Sequence, residues 1–209
     1  MDRSIIRDAI IKSQHCQRNW DLDQAIPKED LDMILMAATQ CPSKQNLAYY
    51  RCHFIQDRDL IEKIHESTMG FGSHTNSQIM ANLVIVFEEY GDLASDAYNK
   101  RNQQTRELVE KDLDRSGINV DKQLDVNRQQ AVGVAAGYVN LVASLLGYST
   151  GCCRCMVPGN IEKILDLKNP VQLLMGIGFK DGSRNRREHH TEDFVFPTFK
   201  KQEIPVSWY

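Results

Sequence analysis

Apolar side chains recur at helical spacing from the start of the chain. Ile5, Ile6, Ala9 and Ile10 share one face of residues 2–14, which predicts a helix. A second helix is predicted from Pro27. Proline suits the first helical position, and Glu29 and Asp30 fall in the first turn, where the helix dipole favours acids. Leu31, Ile34, Leu35 and Ala38 give that helix its apolar face. Residues 41–46 form a polar turn with a proline brake. Tyr50, Cys52 and Phe54 then alternate with Arg51, His53 and Gln56, the pattern of a half-buried strand. A short helix is expected over 59–66, and a loop entering a helical turn over 71–78. The unbroken apolar run of residues 83–87 reads as a buried strand. Further on, 158–165 reads as a short helix and 171–179 as another strand.

The stretch that organises the rest is 129–155. From Ala131 to Leu146 only Asn140 and Ser144 are plainly polar, and a helix apolar on all sides belongs in a core. Gly133 and Gly137 each cost about 1 kcal/mol of helix propensity against Ala, so tight packing or a cofactor is expected at that surface. Gly147 is the expected C-cap. Beyond it the chain turns through residues 148–151 into a cysteine-rich loop. Residues 91–122 are charge-laced and poor in large apolar side chains, which reads as solvated helices forming an excursion over a site. The segment 194–209 is extended, aromatic and proline-punctuated. Four strands and about six helices without strict alternation imply one α+β domain spanning 1–209.

Composition narrows the functional classes. The chain has 209 residues, 42% hydrophobic and 25% charged, with a formal net charge of −3. That is ordinary for a globular domain and argues against a nucleic-acid binder. The first residues lack the continuous apolar core of a signal peptide, and the long apolar run is too rich in glycine to suit a membrane. The six cysteines are therefore expected to be reduced thiols in a cytoplasmic protein.

Several local motifs have competing readings. Gly176 and Gly178 follow a strand, but the third glycine, Gly182, stands one position too late for a dinucleotide fingerprint, and no Walker lysine follows. Cys152 and Cys155 form one C-x-x-C, which could serve thiol redox chemistry, half a zinc site or mere packing; no partner stands at a standard metal spacing. Three polar clusters remain: His15 with Arg18, residues 43–46, and Arg186 with Arg187. Singly, each is ordinary surface chemistry.

Together, in order, they resemble the nitroreductase family of flavoproteins. Residues 14–20 (QHCQRNW) resemble its opening basic-basic-Ser-x-basic signature, and residues 42–46 (PSKQN) its P-S-x-x-N turn. The tyrosines and arginine of 49–51 stand where a Q-P-W run usually ends, and 81–87 resembles the inner strand. Residues 129–150 resemble its central helix and G-L-G-T turn, 171–179 its late strand, and Arg186-Arg187 its final basic cluster. The resemblance implies an α+β fold with a mixed or antiparallel sheet around a core helix, an intertwined homodimer, and FMN at the subunit interface. It also implies two-electron transfer from NAD(P)H through the flavin to a nitro-aromatic, quinone or similar small-molecule acceptor. Residue by residue, it implies that Gln14, His15, Arg186 and Arg187 lie at the FMN phosphate. Arg18 would lie at the N1–C2 edge, where it would act in catalysis. Cys16, Ser43, Asn46 and Asn76 would lie along the ribityl chain and ring edge, and the backbone around Cys153-Arg154 near N5. It further implies a lid at 91–122 and a tail, 194–209, that wraps the partner. No metal is implied.

The departures keep other readings open. Gln14 stands where arginine is usual, Cys16 where serine is usual, and Ala48 where the glutamine of Q-P-W is usual; the C-C-R-C loop is also atypical. Another flavin reaction, such as dehalogenation or flavin fragmentation, a weak flavin binder, or a cysteine-based thiol or metal protein are the alternatives.

Overall fold

The computed structural model describes residues 2–90 and 120–209. Helix α1 is Arg3–Ser13, capped by the Asp2 carboxylate, which accepts from Ser4 N at 2.9 Å. Helix α2 is Lys28–Thr39, with Pro27 as its N-cap, one position before the expected site. Helix α3, Arg58–Glu66, is capped by Asp57, which accepts from Leu60 N at 2.8 Å. Helix α4 is Val120–Leu145, and α5 is Asn160–Ile164. The strands are β1 (Trp20–Asp21), β2 (Tyr50–Ile55), β3 (Leu83–Glu89), β4 (Ser149–Cys153) and β5 (Val171–Lys180). Short 3-10 turns occupy Lys44–Asn46 and Ser77–Ile79.

Among the described residues the strands pair antiparallel, in the order β1-β5-β3-β2, with β4 paired to β5 as well. The pleat explains why residues 83–87 are apolar without a break. Leu83, Ile85 and Phe87 face one core, which α2 closes with Ile34 and Ala38 and α4 with Ala135, Val139 and Ala143. Val84 and Val86 face the other core, closed by Ile61 and Ile64 of α3 and Ile161 of α5. A sheet covered on both faces needs apolar residues at both parities.

Two expectations are corrected. Residues 149–153, read as a turn and loop, are a strand: their Ser, Thr, Gly and Cys composition carries no alternation, and the free edge of β5 recruits them. The central helix, described as Val120–Leu145, reaches well before the apolar run, and among the described residues it is not enclosed. It buries Ala131, Val132, Ala135, Ala136, Val139 and Ala143, while Val134 and Tyr138 point outward, 38% and 48% exposed. Gly133 and Gly137 share that outward side, and a Cβ added at either would meet nothing within 4 Å among the described residues, so no tight packing explains them there. Gly147 does end the helix, at φ +96°.

The glycines of β5 serve close approach instead. A Cβ at Gly176 would lie 2.1 Å from Gln78 O, so the Ser77–Ile79 turn can rest on the sheet only because Gly176 has none. The lid proposed for 91–122 lies, over 91–119, outside the described residues.

Candidate functional site

The segment linking α1 to β1 is held between β4 and the turn after β5. Gln17 N donates to Thr150 O at 2.8 Å, and Cys16 pairs with Thr150 in a parallel bridge. Asn19, fully buried, donates to Glu188 O at 3.1 Å; Trp20 N donates to His190 Nδ1 at 3.2 Å, and Trp20 Nε1 to Ser77 O at 2.9 Å. Residues 15–18 are thereby fixed between two cavities.

The first cavity, about 350 Å³, is lined by Lys12, His15, Lys180, Arg184 and Arg186, with Asp181 as its acid. Lys12 comes from the last turn of α1 and Lys180 from the end of β5. Burial and then the neighbouring Lys180 push the Lys12 ammonium below its usual pKa, the effect expected where cations are gathered around space for an anion. Arg184 is largely committed, donating to His189 O at 2.6 Å and His190 O at 2.9 Å and pairing with Glu188. Arg186 donates to Cys16 O at 3.2 Å, which ties the cavity to the α1–β1 segment.

The second cavity, about 200 Å³, is lined by Arg18, Asn76, Gln78, Cys155, Phe71 and Phe196 among others. The Arg18 guanidinium lies 4.5 Å from the centroid of the Phe196 ring, a cation–π contact. With its amide turned to satisfy both neighbours, Gln78 donates to Cys152 O at 3.2 Å and accepts from Arg18 at 3.3 Å. Arg18 Nε is buried and has no hydrogen-bond partner among the described residues. Burial lowers the Arg18 pKa, yet the group remains a cation. A half-buried guanidinium that lines a cavity and has one nitrogen without a partner among the described residues suits a ligand that brings acceptors or negative charge.

A clasp supports this second cavity from below. Glu192 accepts from His74 Nδ1 and from Thr75 Oγ1, the latter at 2.8 Å, while the fully buried His189 meets Thr75 Oγ1 at 3.1 Å. Phe194 stacks on His74 with centroids 3.8 Å apart, and Phe196 stacks on His189 at 5.8 Å. The extended segment after residue 188 is thus anchored in its own chain as far as Phe196, and Phe199 onward is exposed.

The residues singled out from sequence fall in three places. His15 and Arg186 line the basic cavity, and Arg18 and Asn76 line the second. Gln14 is the exposed C-cap of α1 and is not among the residues lining either cavity, while Cys16 is bonded through its carbonyl to Arg186 of the basic cavity. Cys153 is buried at the end of β4, while Arg154 is exposed. Arg187 turns its carbonyl to Phe196 N at 2.9 Å and is not among the residues lining the basic cavity. Ser43 and Asn46 stand apart, in an open groove of about 590 Å³ with Cys41, Tyr50 and Arg51. Sequence reading missed Lys12, Lys180 and Gln78. Lys12 had a signal, one helical turn before His15; Lys180 had none beyond ending a strand.

The family model described as "Nitroreductase family" matches residues 11–179. Solved structures share the fold. A nitroreductase family protein from Clostridium novyi NT is 16% identical, with 92% of this chain and 94% of that one covered and a TM-score of 0.65. An FMN-dependent nitroreductase from Clostridium difficile R20291 is 18% identical, with 88% and 95% covered and a TM-score of 0.57. A Staphylococcus epidermidis protein assigned provisionally as an NAD(P)H:FMN oxidoreductase is 18% identical, with 94% and 92% covered and a TM-score of 0.62. No curated protein matches the chain.

Proposed function

Because the chain belongs to the nitroreductase family, we propose that it is an FMN-dependent oxidoreductase that passes two electrons from NAD(P)H to a small acceptor such as a nitro-aromatic or quinone. The observation that carries this reading is the pair of cavities joined through residues 15–18, one basic and one hydrogen-bonding around an unsatisfied arginine. Their chemistry suits the two ends of a flavin mononucleotide. The cofactors named for the Clostridium difficile and Staphylococcus epidermidis relatives agree.

Lys12, His15, Lys180 and Arg186 would hold the phosphate by charge-assisted hydrogen bonds. Arg18 would face the ring edge where negative charge grows on reduction, and Asn76 and Gln78 would supply neutral donors and acceptors beside it. Bound FMN supplies the two-electron chemistry. The protein supplies orientation and a fixed cation in a half-buried setting, where electrostatics are stronger than in water.

Ser43 and Asn46, which the family resemblance assigns to the flavin, line a different groove of the same copy. The reading therefore includes a homodimer in which a second copy brings those residues to the flavin. Support comes from apolar side chains left outward on three helices: Ile10 and Ile11 of α1, Met33 and Met36 of α2, and Val134 and Tyr138 of α4. The exposed Phe199, Ile204, Val206 and Trp208 belong to the same reading, as a tail that reaches the partner.

The test is a pair of titrations, with FMN and with riboflavin, followed by flavin fluorescence. FMN is expected to bind more tightly by at least tenfold, because only FMN engages the basic cavity. Equal binding, or none, would count against the reading.

A further inference from the structure

Four of the six cysteines gather where β4 leaves the sheet. Cys152 and Cys153 are consecutive in a strand and so point to opposite faces. Cys152 packs against the core beneath α4, whereas Cys153, 7% exposed, lies on the other side. The C-x-x-C spacing of Cys152 and Cys155 is therefore divided by the pleat. Cys153 and Cys155 meet instead. The chain turns sharply after β4, and Cys155 N donates to Cys153 Sγ at 2.8 Å. The second thiol branches from the Cα next to that donor nitrogen, so the two cysteines are neighbours in space as well as in sequence.

The surroundings suit thiol chemistry better than metal binding. Among the described residues, no group of three or more His, Cys, Asp or Glu is arranged to hold a metal ion. Cys155 is exposed and lines the second cavity together with Arg18. The Arg18 guanidinium is close enough to interact electrostatically with Cys16, Cys153 and Cys155. An exposed thiol is the one that a disulfide from solution can reach.

We propose that Cys153 and Cys155 form a reversible dithiol–disulfide pair that exchanges two electrons with low-molecular-weight disulfides reaching the exposed Cys155 from solution. Exposure sets the roles. The Cys155 thiolate attacks one sulfur of a disulfide RSSR, and a first RS⁻ leaves and is protonated by solvent. Cys153 then loses its proton, attacks the Cys155 sulfur and displaces the second RS⁻, which takes up a proton. The protein is oxidised by two electrons to the Cys153–Cys155 disulfide, and RSSR is reduced to two thiols. Burial pushes the Cys153 thiol up, which keeps it from making the first attack; its closeness to Cys155 is what gives it the second. The small ring closed by residues two apart is strained, and strained disulfides are the labile, exchangeable ones.

The pair is tested without reference to flavin. The full-length protein is incubated with glutathione disulfide, its remaining thiols are blocked, and it is digested with trypsin and analysed by mass spectrometry. Cleavage after Arg154 places Cys153 and Cys155 in separate peptides, so the disulfide appears as a linked pair that separates on reduction. The link is expected in the parent and in Cys152→Ser, and absent in Cys155→Ser. In Cys153→Ser, Cys155 is expected to retain glutathione, because the resolving thiol is gone. Loss of the link in Cys152→Ser, a link from Cys155 to Cys16, a stable glutathione adduct on parental Cys155, or an unreactive Cys155 would each overturn the proposal. If Cys153→Ser does not fold, parent against Cys152→Ser decides.

Discussion

Arg18 is the residue on which the proposed chemistry concentrates. It is half-buried, its charge leans on the Phe196 ring, and its Nε has no partner among the described residues. A charge-assisted contact to the reduced flavin of about 1.5–3 kcal/mol is reasonable there. For a two-electron couple about 30 mV corresponds to roughly 1.4 kcal/mol, so Arg18→Ala should lower the flavin midpoint potential by some tens of millivolts. Arg18→Lys should shift it less, keeping charge but losing the planar fork. An unchanged potential with normal FMN occupancy would remove Arg18 from the ring. Lys180 gives an independent check on the phosphate end. Losing one charge-assisted bond of about 1.5–3 kcal/mol predicts that Lys180→Ala raises the Kd for FMN by roughly tenfold to a hundredfold. Riboflavin binding should not change. Arg18 is singled out by its place in the opening signature, and it lines the second cavity. Lys180 was not legible in the sequence, because a lysine at a strand end looks like any solvated terminus until α1 brings Lys12 beside it.

At the scale of elements, the β5 glycines and the clasp under the second cavity make opposite kinds of prediction. Gly176→Ala would drive a methyl into Gln78 O, a backbone atom that cannot rotate away. Overpacking of this kind costs about 1–3 kcal/mol, so the urea midpoint should fall with the slope unchanged. The clasp predicts acid sensitivity. His65 of α3 lies beside the clasp, its ring 5.6 Å from that of His189; burial first, then His189, hold its imidazole down at about 4. Burial alone would raise Glu192, but hydrogen bonds from His74 and Thr75 outweigh it and hold the carboxyl down at about 2. Both folded-state values lie below the unfolded ones, near 6.5 for His and 4.3 for Glu. The unfolded chain thus binds more protons in this range, and stability is present above pH about 6.5 and lost as pH falls towards 2. Stability measured by urea unfolding should decline from pH about 6.5, and His65→Leu should flatten the upper part of that decline. A pH-independent midpoint between 6.5 and 4 would show that His65 is not buried neutral. The helices and the three strands with strong periodicity were legible at this scale. Strand β4 was not, because its side chains follow neither period and its identity comes from the edge it pairs with.

At the scale of the molecule, the outward apolar face and the exposed end of the chain predict association. Ending the chain after Thr198 removes Phe199 and the exposed residues beyond it but keeps Phe194 and Phe196, which pack within their own chain. That truncation should leave the fold intact by circular dichroism, shift sedimentation towards monomer at low concentration and lower FMN occupancy. An unchanged sedimentation profile would count against a partner-wrapping tail. Much of the architecture was already determined by the sequence. Local periodicity marked the helices, the unbroken run of 83–87 marked a strand buried on both faces, and the order of polar clusters marked the family. Tertiary structure alone decided that β4 joins β5, that Cys153 meets Cys155 and not Cys152, that lysines 168 positions apart share one cavity, and that the central helix keeps one apolar face outward. The reason is physical. Periodicity is set by neighbours along the chain and records which face of an element is apolar, whereas edge pairing and the convergence of distant side chains depend on how those faces pack, which no local pattern encodes.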